Sequence, residues 1–260
     1  MKSGSFNANR RRTVALSAAM AVATLLLLLA TERPIGLTWD EPDYMVAARS
    51  YSAWFGELWR DPVAALSPAS IDGHWTVNHE HPPANKLWNG AVWRLARGLL
   101  RRFPGGDLTA HRLGNMLLNS AAVGLLYLLI AEDYGAWAAL AASAALLAMP
   151  RAFFHMHLAS LDFASASTIL LTLVLFWKTR ERSALWVDLA LGVTWGLAVA
   201  TKINAVFVWP TLLLWVVLFD RRPRAFLRLG VMGAVAVALF FLSWPWLYHD
   251  TLARTGAYIK

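Results

Sequence analysis

Long apolar runs separated by short polar segments dominate the chain. The hydrocarbon core of a bilayer is about 30 Å thick, so a helix of about 20 apolar residues crosses it. Seven runs suit such a crossing: residues 13–30, 113–131, 136–149, 158–177, 184–200, 203–219 and 225–247. The third run is short, and only Thr201 and Lys202 separate the fifth from the sixth, so a re-entrant pair is an alternative there. The pattern predicts an all-α, polytopic transmembrane bundle of about seven spans.

The composition supports a membrane protein and excludes other classes. Hydrophobic residues make up 58% of the chain and charged residues 15%, whereas soluble domains carry about 25% charged residues. The formal net charge of +8 is typical of nucleic-acid binding. The sequence has no basic stripe interleaved with exposed aromatics, so we predict no nucleic-acid partner. The absence of cysteine excludes disulfides and cysteine-ligated zinc.

Basic residues recur before the first run and after the fourth and sixth runs. They are Lys2, Arg10, Arg11, Arg12, Lys178, Arg180, Arg182, Arg221, Arg222, Arg224 and Arg228. Because positive charge is retained in the cytoplasm, this pattern predicts a multi-pass protein of the cell (inner) membrane with a cytoplasmic N-terminus. Segment 32–110 is then extracytoplasmic. A cleaved signal peptide is an alternative interpretation of the first run.

Segment 32–110 is too long for a simple turn and contains six of the fourteen tryptophans. Between residues 86 and 103, apolar residues recur at helical spacing and arginines gather on the opposite side, which predicts an amphipathic helix in the membrane interface. The apolar positions are Trp88, Val92, Leu95, Leu99 and Phe103. A second interfacial helix is predicted over residues 44–59, with lipid-facing Met45, Ala48, Phe55 and Trp59.

Three carboxylates, Asp40, Glu41 and Asp43, lie together just after the first run. A partly desolvated carboxylate near its neighbours has its pKa raised toward the range useful for a general base. The alternative is that Asp40 caps a helix that begins at Pro42. Both interpretations place Asp40 at the outer edge of the membrane.

A second motif in the outer segment is His81-Pro82-Pro83, followed by Lys86. The paired prolines stiffen the start of the helix and present Lys86 in its first turns. An exposed ammonium there suits a phosphate, although a snorkelling lysine is an equally simple interpretation. The run His79-Glu80-His81 leaves a divalent cation open as a cofactor, and no metal ligand is assigned.

Three further charged residues lie at the outer ends of predicted spans. Arg112 opens the second span, Asp162 is the acid within the fourth run, and Lys202 lies between the fifth and sixth runs. An ionisable residue in an apolar run is a functional candidate because its desolvation is costly. We therefore predict that these residues and Asp40 share one outer site. An acid beside several cations at a lipid surface suits transfer from a lipid phosphate.

The order of these features resembles that of the GT-C membrane glycosyltransferases. In particular, it resembles that of the family that includes dolichyl-phosphate-mannose protein mannosyltransferases and bacterial aminoarabinose transferases. The resemblance rests on Asp40-Glu41, His81-Pro82-Pro83 with Lys86, Arg112, Leu161-Asp162, Ala200-Thr201-Lys202 and Trp244-Pro245-Trp246.

This resemblance implies an inverting glycosyltransferase that uses a polyprenyl-phosphate sugar. It implies that Asp40 is the general base and that Glu41 orients it or helps to bind the acceptor. His81, Lys86, Arg112, Asp162 and Lys202 are implied to bind substrate, and the cations among them to neutralise the lipid phosphate.

The sequence departs from the family pattern in two respects. Members that modify proteins usually have Gly before the lysine, whereas Asn85 stands here, so a glycan, a lipid and a protein all remain open as acceptor. Members also carry further spans, so residues 1–260 are expected to form one transmembrane domain without its C-terminal part, with loop 32–110 inside it. The alternative function is a multipass binding or transport subunit, for which Asp162 would lie at the midplane.

Overall fold

The computed structural model describes residues 2–259, with side chains for residues 10–258, and this part contains helices and no strand. Its α-helices are α1 (Lys2–Thr31), α2 (Glu41–Arg60), α3 (Pro62–Ala65), α4 (Pro68–Trp75), α5 (Ala84–Leu100), α6 (Gly106–Tyr134), α7 (Ala136–Ala148), α8 (Pro150–His157), α9 (Leu161–Thr179), α10 (Leu185–Thr201), α11 (Val208–Trp215), α12 (Pro223–Leu242) and α13 (Thr251–Ile259). Two 3-10 helices (Ile203–Phe207 and Pro245–Leu247) and a π-helix (Val216–Asp220) complete them.

The predicted all-α polytopic bundle is confirmed. Five helical stretches of the described chain are long and apolar enough to cross a membrane: Arg10–Thr31, Gly106–Tyr134, Leu161–Thr179, Ile203–Asp220 and Pro223–Leu242. Helices α7 and α8 form a bent pair that makes a sixth crossing if it is one broken span. Helix α10 is also apolar but has only 17 residues. All seven predicted runs are therefore helical, and five or six meet the length of a span.

A proline explains why the third run is not a simple span. The axis turns by 77° between α7 and α8, because Met149 precedes Pro150 and takes an extended conformation (φ −76°, ψ 110°). Helix α7 has 13 residues and rises only about 20 Å. Helix α8 ends at His157, whose Nε2 lies 2.9 Å from Thr31 Oγ1 at the end of α1.

The helices alternate in direction, so charged groups collect at two ends of the bundle. Helix α1 packs along α6, where Ser17 Oγ donates to the Gly124 carbonyl oxygen over 2.8 Å. We call the end that contains Glu32, Glu41, Arg112, Asp162 and Lys202 the Asp40 end. The opposite end contains Glu132, Lys178, Asp188 and Arg228. This separation matches the alternation that the basic residues predicted.

The long segment before α6 folds into helices α2 to α5, as predicted for its two main helices. Helices α2 and α5 cross closely at Gly90, where a Cβ atom would lie 2.4 Å from Ser52 Oγ and 2.7 Å from the Ala48 carbonyl oxygen. The predicted lipid contact of Ala48 is wrong, because this residue is buried at that crossing. The predicted apolar positions Phe55 and Trp59 are exposed.

The last predicted run ends earlier than expected. Helix α12 stops at Leu242, and Pro245 follows within a 3-10 turn. Trp244 and Trp246 are buried in a cluster with Tyr51 and Trp75 of the outer segment. The residues after α12 therefore pack against the segment before α6 and fix it on the Asp40 end.

Candidate functional site

A buried ion pair between Arg112 and Glu41 organises the Asp40 end. Arg112, in the second turn of α6, donates from Nε to Glu41 Oε1 over 2.8 Å and from Nη2 to Glu41 Oε2 over 2.7 Å. Its remaining N–H groups donate to Glu32 Oε1 at 3.1 Å and to the carbonyl oxygens of Ile35 at 2.9 Å and Gly36 at 2.8 Å. All five guanidinium donors are thus used within the protein.

Both carboxylate oxygens of Glu41 accept further hydrogen bonds. Its Oε1 accepts the backbone N–H of Ala159 over 2.9 Å, and its Oε2 accepts the N–H and the hydroxyl of Thr38 over 3.0 Å each. Burial raises the pKa of Glu41, but the bonds from Arg112 and Ala159 outweigh it and hold the pKa below the usual 4.5. The ionised Glu41 therefore ties together the start of α2, α6 and the α8–α9 connection.

Asp40 differs sharply from its neighbour Glu41. It occupies the N-cap position of α2 and is exposed, yet its side chain forms no capping hydrogen bond. The alternative interpretation of Asp40 as a side-chain helix cap is therefore wrong. Within the described residues its carboxylate has neither a hydrogen bond nor an ion pair, so both oxygens are open to a molecule from outside.

Asp162 and Lys202 form the second charged pair of the Asp40 end. Lys202 Nζ, just after α10, lies 2.5 Å from Asp162 Oδ1 in the first turn of α9, and His155 Nδ1 lies 3.6 Å from Asp162 Oδ2. The side chain of Asp162 is 52% exposed and that of Lys202 is 35% exposed. Arg151, which sequence reasoning missed, is exposed within electrostatic reach of Asp162. This pair is accessible to an anionic ligand.

Tyr44 is a buried phenol influenced by the acids of the Asp40 end. Burial raises its pKa to about 12, and the charges of Asp40, Asp162 and Glu80 add to this effect. The phenol is 9% exposed and belongs to the first turns of α2. Asp40 and Asp162, 122 positions apart in the chain, thus both act electrostatically on one side chain, and the shared site stays a prediction.

His81 lies against the same tyrosine. Its ring centroid is 5.9 Å from that of Tyr44. Burial and the charge of Lys86 lower the pKa of His81, and the charges of Lys202 and Asp40 also reach it. The imidazole is therefore neutral at neutral pH and lies among the charged groups of the site.

The predicted exposure of Lys86 is wrong. Its side chain is 1% exposed, because the first turn of α5 packs under the preceding loop. Nζ donates to the Asn78 carbonyl oxygen at 2.6 Å, to Asn78 Oδ1 at 2.9 Å and to the His81 carbonyl oxygen at 2.8 Å. Burial lowers the pKa of Lys86 to about 7, and Glu80 opposes this shift. Lys86 therefore fixes the loop that carries His81, while phosphate binding by Lys86 stays a prediction.

The run His79-Glu80-His81 does not converge on one point. His79 Nδ1 lies 2.7 Å from the Thr76 carbonyl oxygen and its ring packs on Trp246 at 4.6 Å, whereas Glu80 accepts from Asn78 over 2.7 Å. Among the described residues, no three or more acids and histidines are grouped so that they could hold a metal ion.

Sequence reasoning missed two asparagines that position the site. Asn115 Nδ2 donates to the carbonyl oxygens of Leu158 and Ser160 over 2.7 Å each, and Asn119 Nδ2 donates to that of Met156 over 3.0 Å. These bonds fix the α8–α9 connection, from which the first turn of α9 starts. The available signal was a pair of amides four residues apart, hence on one face of an apolar helix.

Comparison with protein-family models gives a match over residues 91–249, more than half of the chain, to the family described as dolichyl-phosphate-mannose-protein mannosyltransferase. The chain belongs to this family. The family resemblance seen in the sequence is thereby confirmed, and the protein is a multi-pass membrane protein of a GT-C glycosyltransferase family. No curated protein and no solved structure matches the chain.

The match divides the predicted site residues into two groups. Arg112, Asp162 and Lys202 lie within residues 91–249. The other four precede the match, and they are Asp40, Glu41, His81 and Lys86. The case for this second group rests on its contacts with the first, above all on the bond between Glu41 and Arg112.

Proposed function

We propose that the protein transfers a sugar from a polyprenyl-phosphate donor to an acceptor hydroxyl at the extracytoplasmic face of the cell (inner) membrane. The observation that carries this proposal is the contrast between Asp40 and Glu41. Glu41 is fixed by Arg112, whereas the adjacent Asp40 carboxylate is exposed and without a bond to the described residues. An open carboxylate next to a fixed ion pair supports the role of Asp40 as a base.

The reaction is a single displacement at the anomeric carbon. The acceptor oxygen attacks that carbon while the bond to the phosphate oxygen breaks, and the polyprenyl phosphate leaves with the electron pair. Asp40 takes the proton of the acceptor hydroxyl, and the anomeric configuration inverts. Proton transfer to a positioned base contributes about 10² to 10⁴ in rate.

The remaining residues divide into positioning and phosphate-binding roles. All donors of Arg112 are already bonded within the protein, so Arg112 and Glu41 are assigned the role of positioning Asp40 from inside the bundle. Lys202 is the predicted phosphate ligand that remains partly exposed, and a phosphate competes with Asp162 for its ammonium. Direct phosphate contacts by Arg112 and Lys86 stay predictions, because each would have to exchange its present bonds.

The orientation of the protein rests on its charge pattern. The arginine-rich connections after α9 and before α12 lie at the end opposite Asp40. Because such connections remain in the cytoplasm, Asp40 lies on the extracytoplasmic side.

The position of Asp162 weighs against the alternative of a transport or binding subunit. Such a role favours an ionisable residue near the middle of a span. Asp162 instead lies in the first turn of α9, paired with Lys202 at the end of the bundle. This arrangement suits a site at the membrane surface.

The test uses membranes that contain the chain, supplied with radiolabelled polyprenyl-phosphate sugars and analysed for labelled lipid, glycan and protein. Asp40→Asn is expected to abolish transfer, and the exposed Asp43 of the same helix provides the matched control Asp43→Asn. Product NMR is expected to show an inverted anomeric configuration. Undiminished transfer by Asp40→Asn, or equal loss in both variants, would show that Asp40 is not the base.

A further inference from the structure

A wide cavity lies at the end of the bundle opposite Asp40. Its volume is about 830 Å³, and it lies between the end of α9, the π-helix and the start of α12. Its lining includes Arg180, Glu181, Phe219, Asp220, Arg221 and Arg222. None of these residues belongs to the proposed transfer site.

Both acids of this cavity bind Arg222, and Glu181 also lies close to Arg180. Arg222 Nη1 donates to Glu181 Oε2 over 3.0 Å, and Arg222 Nη2 donates to Asp220 Oδ2 over 2.9 Å. Three arginines and two acids line the cavity, so its formal charge is 3 − 2 = +1. Arg180 Nε lies 3.8 Å from Glu181 Oε1, whereas Arg221 has no ion pair with a described residue, so the excess positive charge is carried by these two arginines together.

Arg180 and Arg221 each keep donors that the protein does not use. Arg180 Nη1 donates to the Trp177 carbonyl oxygen over 2.6 Å, and its guanidinium lies 4.0 Å from the centre of the Trp177 ring. Arg221 Nε donates to the Val217 carbonyl oxygen over 2.9 Å, and neither of its Nη atoms is bonded to a described residue. Arg221 is therefore held through Nε alone, and Arg180 Nη2 is bonded to no described residue, so both guanidinium groups keep N–H groups available.

The other side of the cavity is apolar and exposed. Phe219 is 72% exposed and Leu218 is 51% exposed. Trp215 packs between Trp177 and Phe219, with ring centres 6.0 Å and 6.2 Å apart. Aromatic residues at the ends of spans mark the boundary between membrane and water. The cavity thus joins a cationic wall to an exposed apolar wall.

We propose that this cavity binds the phosphate of an anionic phospholipid. Arg180 and Arg221 donate hydrogen bonds to the phosphate oxygens, for which the fork of the guanidinium is suited. The acyl chains lie against Leu218 and Phe219, whose exposed apolar surface has no use in binding a soluble phosphate. Basic pockets between spans on this side of a membrane protein are typical of anionic headgroup sites. The inference is independent of the transfer reaction at Asp40.

The experiment is native mass spectrometry of the purified full chain titrated with phosphatidylglycerol or phosphatidylcholine. We expect the first phosphatidylglycerol to bind at least about tenfold more tightly than phosphatidylcholine. The double variant Arg180→Gln/Arg221→Gln is expected to weaken phosphatidylglycerol binding about thirtyfold, because each basic residue near an anionic lipid contributes about one factor of five. Phosphatidylcholine binding is expected to stay unchanged.

The matched control is Arg101→Gln/Arg102→Gln, which removes two exposed positive charges after α5. It is expected to change phosphatidylglycerol binding less than about twofold. Equal weakening by both double variants would overturn the proposal in favour of general charge attraction. Displacement of the lipid by glycerol phosphate at equal concentration would also overturn it, because the site would then be one for free anions.

A folding control keeps the test decisive. Thermal unfolding, followed by tryptophan fluorescence, compares the two double variants. If Arg180→Gln/Arg221→Gln unfolds at a lower temperature, the single variant Arg221→Gln replaces it, because the Nη atoms of Arg221 contact no described residue. The expected weakening is then about fivefold, and wild-type binding by this variant would contradict the proposal.

Discussion

The two ends of the bundle each contain a buried arginine that binds an acid from a distant helix. At the Asp40 end, Arg112 binds Glu41 and two backbone carbonyl groups. At the opposite end, Arg228 Nε donates to Asp188 over 2.8 Å, and its other donors reach the carbonyl oxygens of Thr179 and Arg182. In both places a guanidinium joins helix ends that would otherwise leave polar groups unsatisfied.

The surroundings of these two arginines differ. Asp188 is fully buried and binds both Arg224 and Arg228, so its carboxylate is closed to a ligand. Beside Glu41, in contrast, the exposed carboxylate of Asp40 forms no ion pair with described residues. Burial and charge pairing therefore identify the residues that position a site, not those that react in it. The chemistry is expected from the acid next to the pair, which keeps both oxygens available.

The largest expected effect is on turnover in Asp40→Asn. The amide keeps the shape of the side chain but accepts no proton at neutral pH, so turnover should fall about 10² to 10⁴-fold. Donor binding should change little, since Asp40 is not a phosphate ligand in the proposed site. Turnover and donor binding are measured on one preparation, or on a full-length relative if this chain is inactive. Loss of donor binding in parallel with turnover would contradict the role of a base.

Glu41→Gln and Asp188→Asn test the two buried pairs against each other. Each breaks a buried ion pair, which typically destabilises a protein by about 3–5 kcal/mol. Arg112 keeps Glu32 as a second anionic partner, so the loss should be smaller for Glu41→Gln than for Asp188→Asn. Glu41→Gln should also reduce turnover per folded molecule, because it releases the start of α2 that holds Asp40. Asp188→Asn should leave that turnover near the wild-type value. Thermal unfolding and turnover normalised to folded protein separate the two outcomes.

The stability that the Glu41 ion pair contributes depends on pH. Because the folded pKa of Glu41 lies below the unfolded value near 4.5, its ionised form stabilises the protein above that pH. This contribution should disappear as the pH falls through the folded pKa. Unfolding temperatures of wild type and Glu41→Gln, measured from about pH 7 down to about pH 3, should therefore converge at the acid end. A constant difference over the whole range would show that Glu41 is not ionised in the fold.

Much of the architecture was predictable from the sequence because it depends on local patterns. The apolar runs gave the helices, and the alternation of basic segments gave the two ends, with Arg112, Asp162 and Lys202 at the same one. The bend after α7 also had a local signal in Pro150, which the search for apolar runs did not use.

The contacts of individual side chains depend on partners far along the chain, so the sequence did not reveal them. Lys86 was expected at the surface, but Asn78 and the α2–α5 crossing bury it. Similarly, Arg112 was expected to meet a phosphate, whereas Glu41 and Glu32 occupy its donors from 71 and 80 residues away. The end of the bundle at which a charged residue lies is thus predictable from the sequence. Which of its hydrogen-bond donors remain unused is not.

The smallest expected effect compares Lys202 with Lys178, since each binds one acid but at opposite ends. Lys202 pairs with Asp162 and Lys178 with Glu132, and all four side chains are partly exposed. Such pairs contribute at most about 1 kcal/mol to stability, so neither Lys202→Gln nor Lys178→Gln should shift unfolding much. Lys202→Gln alone should raise the Kd of the polyprenyl-phosphate sugar about tenfold, because the phosphate loses a charged hydrogen bond. Equal donor binding in both variants would place the phosphate away from Lys202, and Arg151 would then be the next cation to replace.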